Sequence, residues 1–507
     1  MKKQIGAGAL IAYVNIFINM FISVFLTPFI IGKLGSSEYG VYKIVSSFSA
    51  NLGIISFGIA SLVARNIVYY NTKNQQREKE NFLFMAEIEA ALLALLVVIC
   101  GAGLYILIEP IYGKSLTSEE LLLAKELFVF LVANIACNVL CDAFTGTIKG
   151  HEKFVICNLI STFRYVVRLI SLVVLLNIGV KSIGIVLVDL IISIVILLVS
   201  VVYSKVILKE KAKFYYFDKE MLKSGLLFSL AVFLQAIINQ VNNNLDNVIL
   251  GAMKGANVVT VYSVGLTIYS MFNTFVTVVG GMYGPSATKL VANNADGKQL
   301  TEFAIRPARI QGMIALLGIV GFALVGKDFI FLWLGDGFSD VYKITLILII
   351  PVVLPLIESI TNAILDAMLK RLARSIILAV MCIVNILVSI ILINQIGYIG
   401  AAYGTAFSLI VGHGIIMNIY LHKNIGLNIP ALFAGVFKGI LLCAIATLIV
   451  GSLVSLLPVG WMWLILKIII VVLIYMVFLY LFGISRDERK IVNNYINKMT
   501  HRNAASK

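Results

Sequence analysis

The sequence predicts an all-α polytopic membrane protein of about 14 transmembrane helices. Two six-helix lobes related by pseudo-two-fold symmetry are followed by two extra C-terminal helices. Three observations carry this. Hydrophobic residues make up 60% of the 507 and charged residues 13%, against roughly 25% charged in a soluble globular protein. About fourteen apolar stretches are long enough to cross a bilayer, which takes about 20 residues as a helix. Polar residues inside those stretches recur at an offset of about 220.

In chain order the spans are expected near 5–31, 40–64, 83–108, 120–146, 155–177, 182–204, 222–250, 257–284, 303–326, 341–368, 375–396, 399–421, 431–456 and 460–483. The first follows Lys2 and Lys3 and runs into Pro28 and a loop. It is too long for the core of a cleavable signal peptide and reads as a span. The eighth ends in Gly280, Gly281, Gly284 and Pro285. The ninth carries Gly312, Gly318 and Gly321, small residues that let helices approach closely. The tenth contains Pro351 and Pro355, each of which removes a backbone hydrogen bond and can kink the helix. The last two spans lie outside the repeat and suit a lipid-facing addition, an oligomer contact or a groove for a substrate tail. After them, Arg486 to Lys507 reads as an amphipathic helix on the inner surface, with Ile491, Val492, Tyr495, Ile496 and Met499 on its apolar face.

The expected division is 1–204 for the first lobe, 205–221 for a cytoplasmic linker, 222–423 for the second lobe, 424–484 for the added spans and 485–507 for a cytoplasmic tail. Tyr203 to Lys223 is the most charged internal stretch. It reads either as a solvated connector that lets the lobes move or as a topology determinant alone.

The basic residues orient the spans. With Lys2 and Lys3 inside, the alternate connections and both termini hold about 29 of the 40 Lys and Arg. This bias places both ends in the cytoplasm. It also accounts for the net charge of +15 without nucleic acid, since a basic inner surface faces anionic lipid.

The repeat is read from polar residues in hydrocarbon, where an unpaired polar group is costly. Asn15 and Asn19 in the first span answer Gln235 and Asn239 in the seventh. Asn138 and Asp142 in the fourth answer Glu358 and Asn362 in the tenth, and Tyr42 answers Tyr262. Six spans per copy return the chain to the same side. The copies are therefore parallel, with their axis along the membrane normal. Costly residues at matching places imply a polar cavity between related halves, a layout typical of transporters.

No enzyme constellation is present: no Walker loop, no HExxH, no Gly-rich dinucleotide fingerprint. No cofactor or metal is expected. Cys137 and Cys141 share a helix face, but isolated membrane cysteines behave as small apolar residues. Of the four His, His413 alone lies inside a span and reads as a packed structural residue. The leading site candidates are Arg164 and Arg168, four apart on one face of the fifth span. They lie roughly 13 and 20 Å from its inner end. Guanidiniums at that depth face protein or water, and their paired donors suit a diphosphate or an acidic sugar. The competing reading is a buried ion pair with Asp189. Glu358, beside the Pro351/Pro355 kink, suits a proton carrier, a Na⁺ ligand with Asn362, or a partner of Arg306 or Arg309. Asp142 is its counterpart in the first lobe. Asp246 sits near the outer end of the seventh span and reads as hydrated.

The stretch LTPFIIGKLGSSEYGVYKIVSSFSANLGIISFGIASLVARNI, residues 26–67, resembles the opening of polysaccharide-export flippases of the Wzx kind. There a loop with L-G-x-x-x-Y-G precedes a helix with a Gly-rich middle and an Arg near its end, here Arg65. Residues 244–265, NLDNVILGAMKGANVVTVYSVG, resemble the family's seventh-to-eighth helix junction. The family belongs to the multidrug/oligosaccharidyl-lipid/polysaccharide exporter superfamily. The resemblance implies a flippase, not an enzyme, in the bacterial cytoplasmic membrane. Its substrate would be undecaprenyl-diphosphate-linked oligosaccharide for O-antigen, capsule or similar polysaccharide, moved from inner to outer leaflet. It implies alternating access about a cationic cavity, driven by H⁺ or Na⁺, with a polysaccharide polymerase as a partner. Lipid II flippases share the fold but often place charged residues in helix 1, where this chain has Asn15 and Asn19. Multidrug antiporters of the same fold usually have 12 spans and cationic substrates, which an Arg-lined cavity disfavours. Membrane polymerases and ligases tend to carry a large outer loop, which this chain lacks.

Overall fold

The structure, a computed structural model, describes residues 2–56, 58–217, 244–281, 283–368, 370–484 and 489. For residues 2–17, 19, 56, 278–281, 284, 285, 371 and 372 it describes the backbone alone. Among the described residues all regular structure is helical. Eleven helical segments among the described residues are long and apolar enough to cross a bilayer. Large apolar side chains such as Ile106, Ile170, Leu198 and Ile449 point outward, a pattern stable against hydrocarbon and not against water. The protein is a multi-pass membrane protein. The chain divides into two compact units, Met1–Ser263 and Val264–Lys507.

In the first unit α1 runs from Lys2 to Ala50 and turns at Gly35, where φ is 79°. That left-handed backbone favours glycine. The first two expected spans therefore meet at one residue, without the loop expected over 32–39. The second is broken further along by a 3₁₀ turn, Asn51–Ser56, and by Gly58 at φ 114°. There follow α2 (Ile59–Lys73), α3 (Gln76–Tyr112), α4 (Ser118–Gly150), α5 (Phe154–Asn177) and α6 (Ser182–Val202). A reciprocal cap starts α4: the Glu120 amide donates to Thr117, and Glu120 accepts from the Thr117 amide. Ile59, Leu62, Val63 and Ile67, spaced at helical period, pack α2 on Phe82, Leu83, Ala86 and Ala90 of α3. Gly146 lets α4 close on α2, because a Cβ there would lie 2.7 Å from the Ala60 carbonyl oxygen. Residues 244–254 form α7, and α8 (Ala256–Gly281) begins in this unit. The two matching junctions touch. Ser36 donates to Asn257 at 2.8 Å, and Thr260 donates to the Ser36 carbonyl at 2.5 Å.

Past α6 the first half of the charged linker is tied to this unit by hydrogen bonds, while Lys209, Lys211 and Lys213 stay exposed. The Asn81 side chain accepts from the amides of Tyr215 (2.9 Å) and Tyr216 (3.2 Å) and donates to the Tyr216 carbonyl (3.0 Å). The Lys213 amide donates to the Glu80 carbonyl, and the Tyr215 hydroxyl to the Glu80 carboxylate. Glu210 is buried, with Lys79 Nζ and His151 Nε2 each 2.8 Å from Oε1.

The second unit contains α9 (Gly284–Ala292), α10 (Gly297–Leu334), α11 (Ser339–Ile349), α12 (Val353–Ile357), α13 (Ser359–Ala367), α14 (Arg371–Ile396) and α15 (Ile399–Leu409). Helical turns continue beyond α15 to Ile425. Then come α16 (Ile429–Phe437), α17 (Ile440–Gly451) and α18 (Trp461–Phe478). The expected tenth span is three pieces, not one kinked helix. The breaks fall around Pro351 and at Glu358, which joins α12 to α13. Ala304, Ala308 and Ala315 of α10 pack on Val353, Leu356, Ile357 and Ile360 of these pieces. Gly318 lets α10 meet Phe272, whereas a Cβ on Gly321 would face open space.

The two C-terminal spans are fastened to α10 by buried polar contacts. The Arg309 guanidinium donates to the carbonyls of Gly435 (2.9 Å), Val436 (3.2 Å), Lys438 (2.9 Å) and Gly483. It thus caps the end of α16, where the chain breaks before Gly439 at φ 77°. Lys467 pairs with Asp328 at 2.5 Å, and Tyr475 donates to the Met313 carbonyl at 2.8 Å.

Candidate functional site

Two polar clusters lie inside the spans of the first unit. The first joins α4, α5, α6 and α1. Arg164 Nη2 donates to Asn138 Oδ1 at 2.9 Å. Asn138 also accepts weakly from Ser193 and donates to Asn134 Oδ1 at 3.1 Å. One turn along α5, Arg168 donates through Nε and Nη2 to the two Asp189 oxygens at 2.6 and 3.1 Å, and Nη2 approaches the Tyr42 hydroxyl at 3.4 Å. The ion pair foreseen for this face therefore forms at Arg168, while Arg164 holds a neutral amide. The pair is not closed, since the Arg168 side chain remains 32% exposed. Asp142, one turn beyond Asn138 on α4, is half-buried, and Arg65 lies exposed on α2.

The second cluster centres on α7. Asp246 is buried and accepts from the Tyr262 hydroxyl at 2.6 Å, so the hydrated reading is corrected. Asn247 donates to Ser47 at 3.0 Å. The matching tyrosines of the repeat, Tyr42 and Tyr262, thus each meet a charged side chain.

In the second unit Glu358 is fully buried, and its Oε2 lies 2.7 Å from His413 Nδ1. Its partner is thus His413, not Arg306 or Arg309. Among the described residues, Glu358 Oε1 and Asn362 Oδ1 are buried without a hydrogen-bond partner. His413 is buried, as its flanking glycines suggested, and its ring also meets Glu358. No pattern in the sequence links it to Glu358, 55 residues away on another span.

The side chains of Asn15 and Asn19, and the whole of Gln235 and Asn239, lie outside the described residues. Among the described residues no group of three or more His, Cys, Asp or Glu gathers as a metal site.

The family pattern described as "Polysaccharide biosynthesis protein" matches residues 5–282, more than half of the chain. The chain belongs to that family. The matched part carries Arg164 and Arg168. No curated protein matches the family member described here. Solved structures show its fold. A lipid II flippase, MurJ, in an inward closed conformation aligns over 93% of this chain and 97% of its own, with TM-score 0.74 and 19% identity. An inward-facing multidrug resistance MATE family transporter of the MOP superfamily aligns over 79% and 92%, with TM-score 0.58 and 16% identity. The Vibrio cholerae MATE transporter VcmN in its bent form aligns over 85% and 99%, with TM-score 0.53 and 13% identity. The chain therefore has the fold of the MOP superfamily.

Proposed function

We propose that this polysaccharide biosynthesis family member is a flippase. It carries undecaprenyl-diphosphate-linked oligosaccharide from the inner to the outer leaflet of a bacterial cytoplasmic membrane by alternating access. The observation that carries the reading is the Arg164/Arg168 face, with Asn138 and Asn134 beside it. A diphosphate crossing hydrocarbon needs fixed positive charge and donors, and guanidinium supplies both without losing its proton. Neutral amides suit the sugar hydroxyls. Arg65, Asn15, Asn19, Gln235 and Asn239 are proposed to extend this surface.

The proposed architecture is fourteen spans, with lobes at 1–204 and 222–423, a linker at 205–221, two added spans in 424–484 and both termini cytoplasmic. Contact between the matching junctions, Ser36 with Asn257 and Thr260, supports a two-fold relation between the copies. An ion, bound by Glu358 with Asn362 or by Asp142, biases the inward–outward balance by its difference in affinity for the two states. A polysaccharide polymerase would take up the product.

A second reading, lipid II as cargo, is favoured by one observation. The similarity to the lipid II flippase spans 93% of this chain and exceeds the MATE matches in TM-score. Deletion of the gene separates the two. Loss of surface polysaccharide with normal cell-wall synthesis supports the oligosaccharide reading. Cell lysis with accumulated lipid II supports the other. A cationic-drug antiporter is disfavoured by the sign of the arginine face.

A further inference from the structure

We propose that Glu358 and His413 together form a proton-binding pair, and that the ion coupled to transport is a proton bound there. This rests on the transport reading above and names the ion that drives it. The pair lies where two irregular segments meet: the joint between α12 and α13, and the wide helical turns of Ile410–Met417. Asn418 fixes the second segment by donating to the His413 carbonyl at 2.9 Å.

The carboxyl of Glu358 is fully enclosed, and a bare carboxylate there is costly. A purely structural ion pair would satisfy both oxygens. Here Oε2 meets His413, while among the described residues Oε1 has no hydrogen-bond partner. The shared hydrogen bond tolerates either proton arrangement. Nδ1–H donates to the carboxylate, or bare Nδ1 accepts from the carboxylic acid. Both forms hold one proton in the bond, so the net proton enters and leaves at His413 Nε2 while the bond between the segments is kept. Na⁺ fits less well, because an imidazole nitrogen occupies the near side of the carboxyl and hard cations select oxygen ligands.

Among the described residues the charged groups acting on Glu358 are His413, from the wide-turn segment, and Arg374, from α14. Helix α10 presents the neutral Gln311, which accepts from Ser359 at 2.9 Å, and its Arg309 is occupied by main-chain carbonyls. Arg374 acts on the carboxylate through space, less strongly than His413.

The test uses the full chain in two assays. The first needs no cargo: infrared titration of the carboxyl C=O band in wild type, Glu358→Gln and His413→Gln. The expected result is a titrating buried band that is absent from Glu358→Gln and shifted in pH by His413→Gln. A buried band that is unaffected by either substitution overturns the proposal. The second measures movement of fluorescent undecaprenyl-diphosphate oligosaccharide in proteoliposomes, as the ratio of rates with and without an imposed ΔpH or Na⁺ gradient. Wild type should respond to ΔpH alone, with the ratio falling to unity in both variants. A Na⁺ response, or a ΔpH ratio unchanged in both variants, overturns it. Wild type that titrates as expected yet moves no cargo sinks the transport reading instead.

Discussion

Arg168 grips Asp189 through two hydrogen bonds at 2.6 and 3.1 Å, while Arg164, one turn earlier on the same face, donates to the amide of Asn138 at 2.9 Å. Two arginines with the same spacing and residue type therefore have different work. The Arg168 charge is balanced inside the protein. For Arg164 the hydrogen bond found among the described residues is to a neutral amide, which is why it is the one proposed to meet an anionic group.

Substitution should separate them. Arg168→Ala strands Asp189 and should cost roughly 3 kcal/mol of stability. That is the low end for breaking a buried pair, since a third of the side chain is exposed. Arg164→Ala loses one hydrogen bond, about 1 kcal/mol, yet should abolish surface polysaccharide at near-normal membrane abundance. Arg164→Lys should restore function only partly, because a point charge replaces a planar fork. Thermal unfolding in detergent and polysaccharide staining read the two effects. Equal stability losses with equal residual function would show that the arginines share one role.

The linker strap should depend on pH. Hydrogen bonding to Glu210 raises the His151 pKa above its ordinary value. Burial opposes ionisation of Glu210, but its bonds from His151 and Lys79 hold it below the usual carboxylate range. The raised histidine contributes stability that is fully present below its unfolded value of about 6.5 and lost as pH rises through its folded value. The lowered carboxyl contributes stability that is present above about 4.3 and lost as pH falls through its folded value. The strap should be tightest in mild acid. Trypsin cleavage at Lys209, Lys211 and Lys213 should be slower near pH 6 than near pH 8.5, after correction for trypsin's own pH profile. His151→Gln should remove the difference. A pH difference that survives in His151→Gln would assign it elsewhere.

Arg309 should be a stability residue for the C-terminal spans. Its guanidinium serves four carbonyls from two spans while nearly fully buried. Arg309→Ala strands those acceptors and should cost roughly 3–5 kcal/mol. Arg309→Lys should recover less than half, because one ammonium cannot reach both chain ends. A melting temperature unchanged in Arg309→Ala would remove this role.

The membrane class and most spans were legible because hydrophobic length is a local property of the chain. The Arg168–Asp189 pair was legible because charge at depth is rare and the two residues sit at matching depth. What escaped was non-local or depended on backbone detail. The Glu358–His413 bond joins spans with no shared motif. Asn81 reads the main chain of Tyr215 and Tyr216, which leaves no residue pattern. Asp246 looked hydrated because its stretch is rich in asparagine, yet Tyr262 closes over it. The break at 51–58 was hidden because Gly53 and Gly58 are common residues in membrane helices.

The most direct test of the account is cargo movement by the purified full chain. Fluorescent undecaprenyl-diphosphate oligosaccharide and fluorescent lipid II are placed in separate proteoliposomes, and the label reaching the opposite leaflet is followed with a membrane-impermeant quencher. The account predicts protein-dependent movement of the oligosaccharide carrier, lost in Arg164→Ala, and little movement of lipid II. Movement of lipid II alone, or of neither, would contradict it.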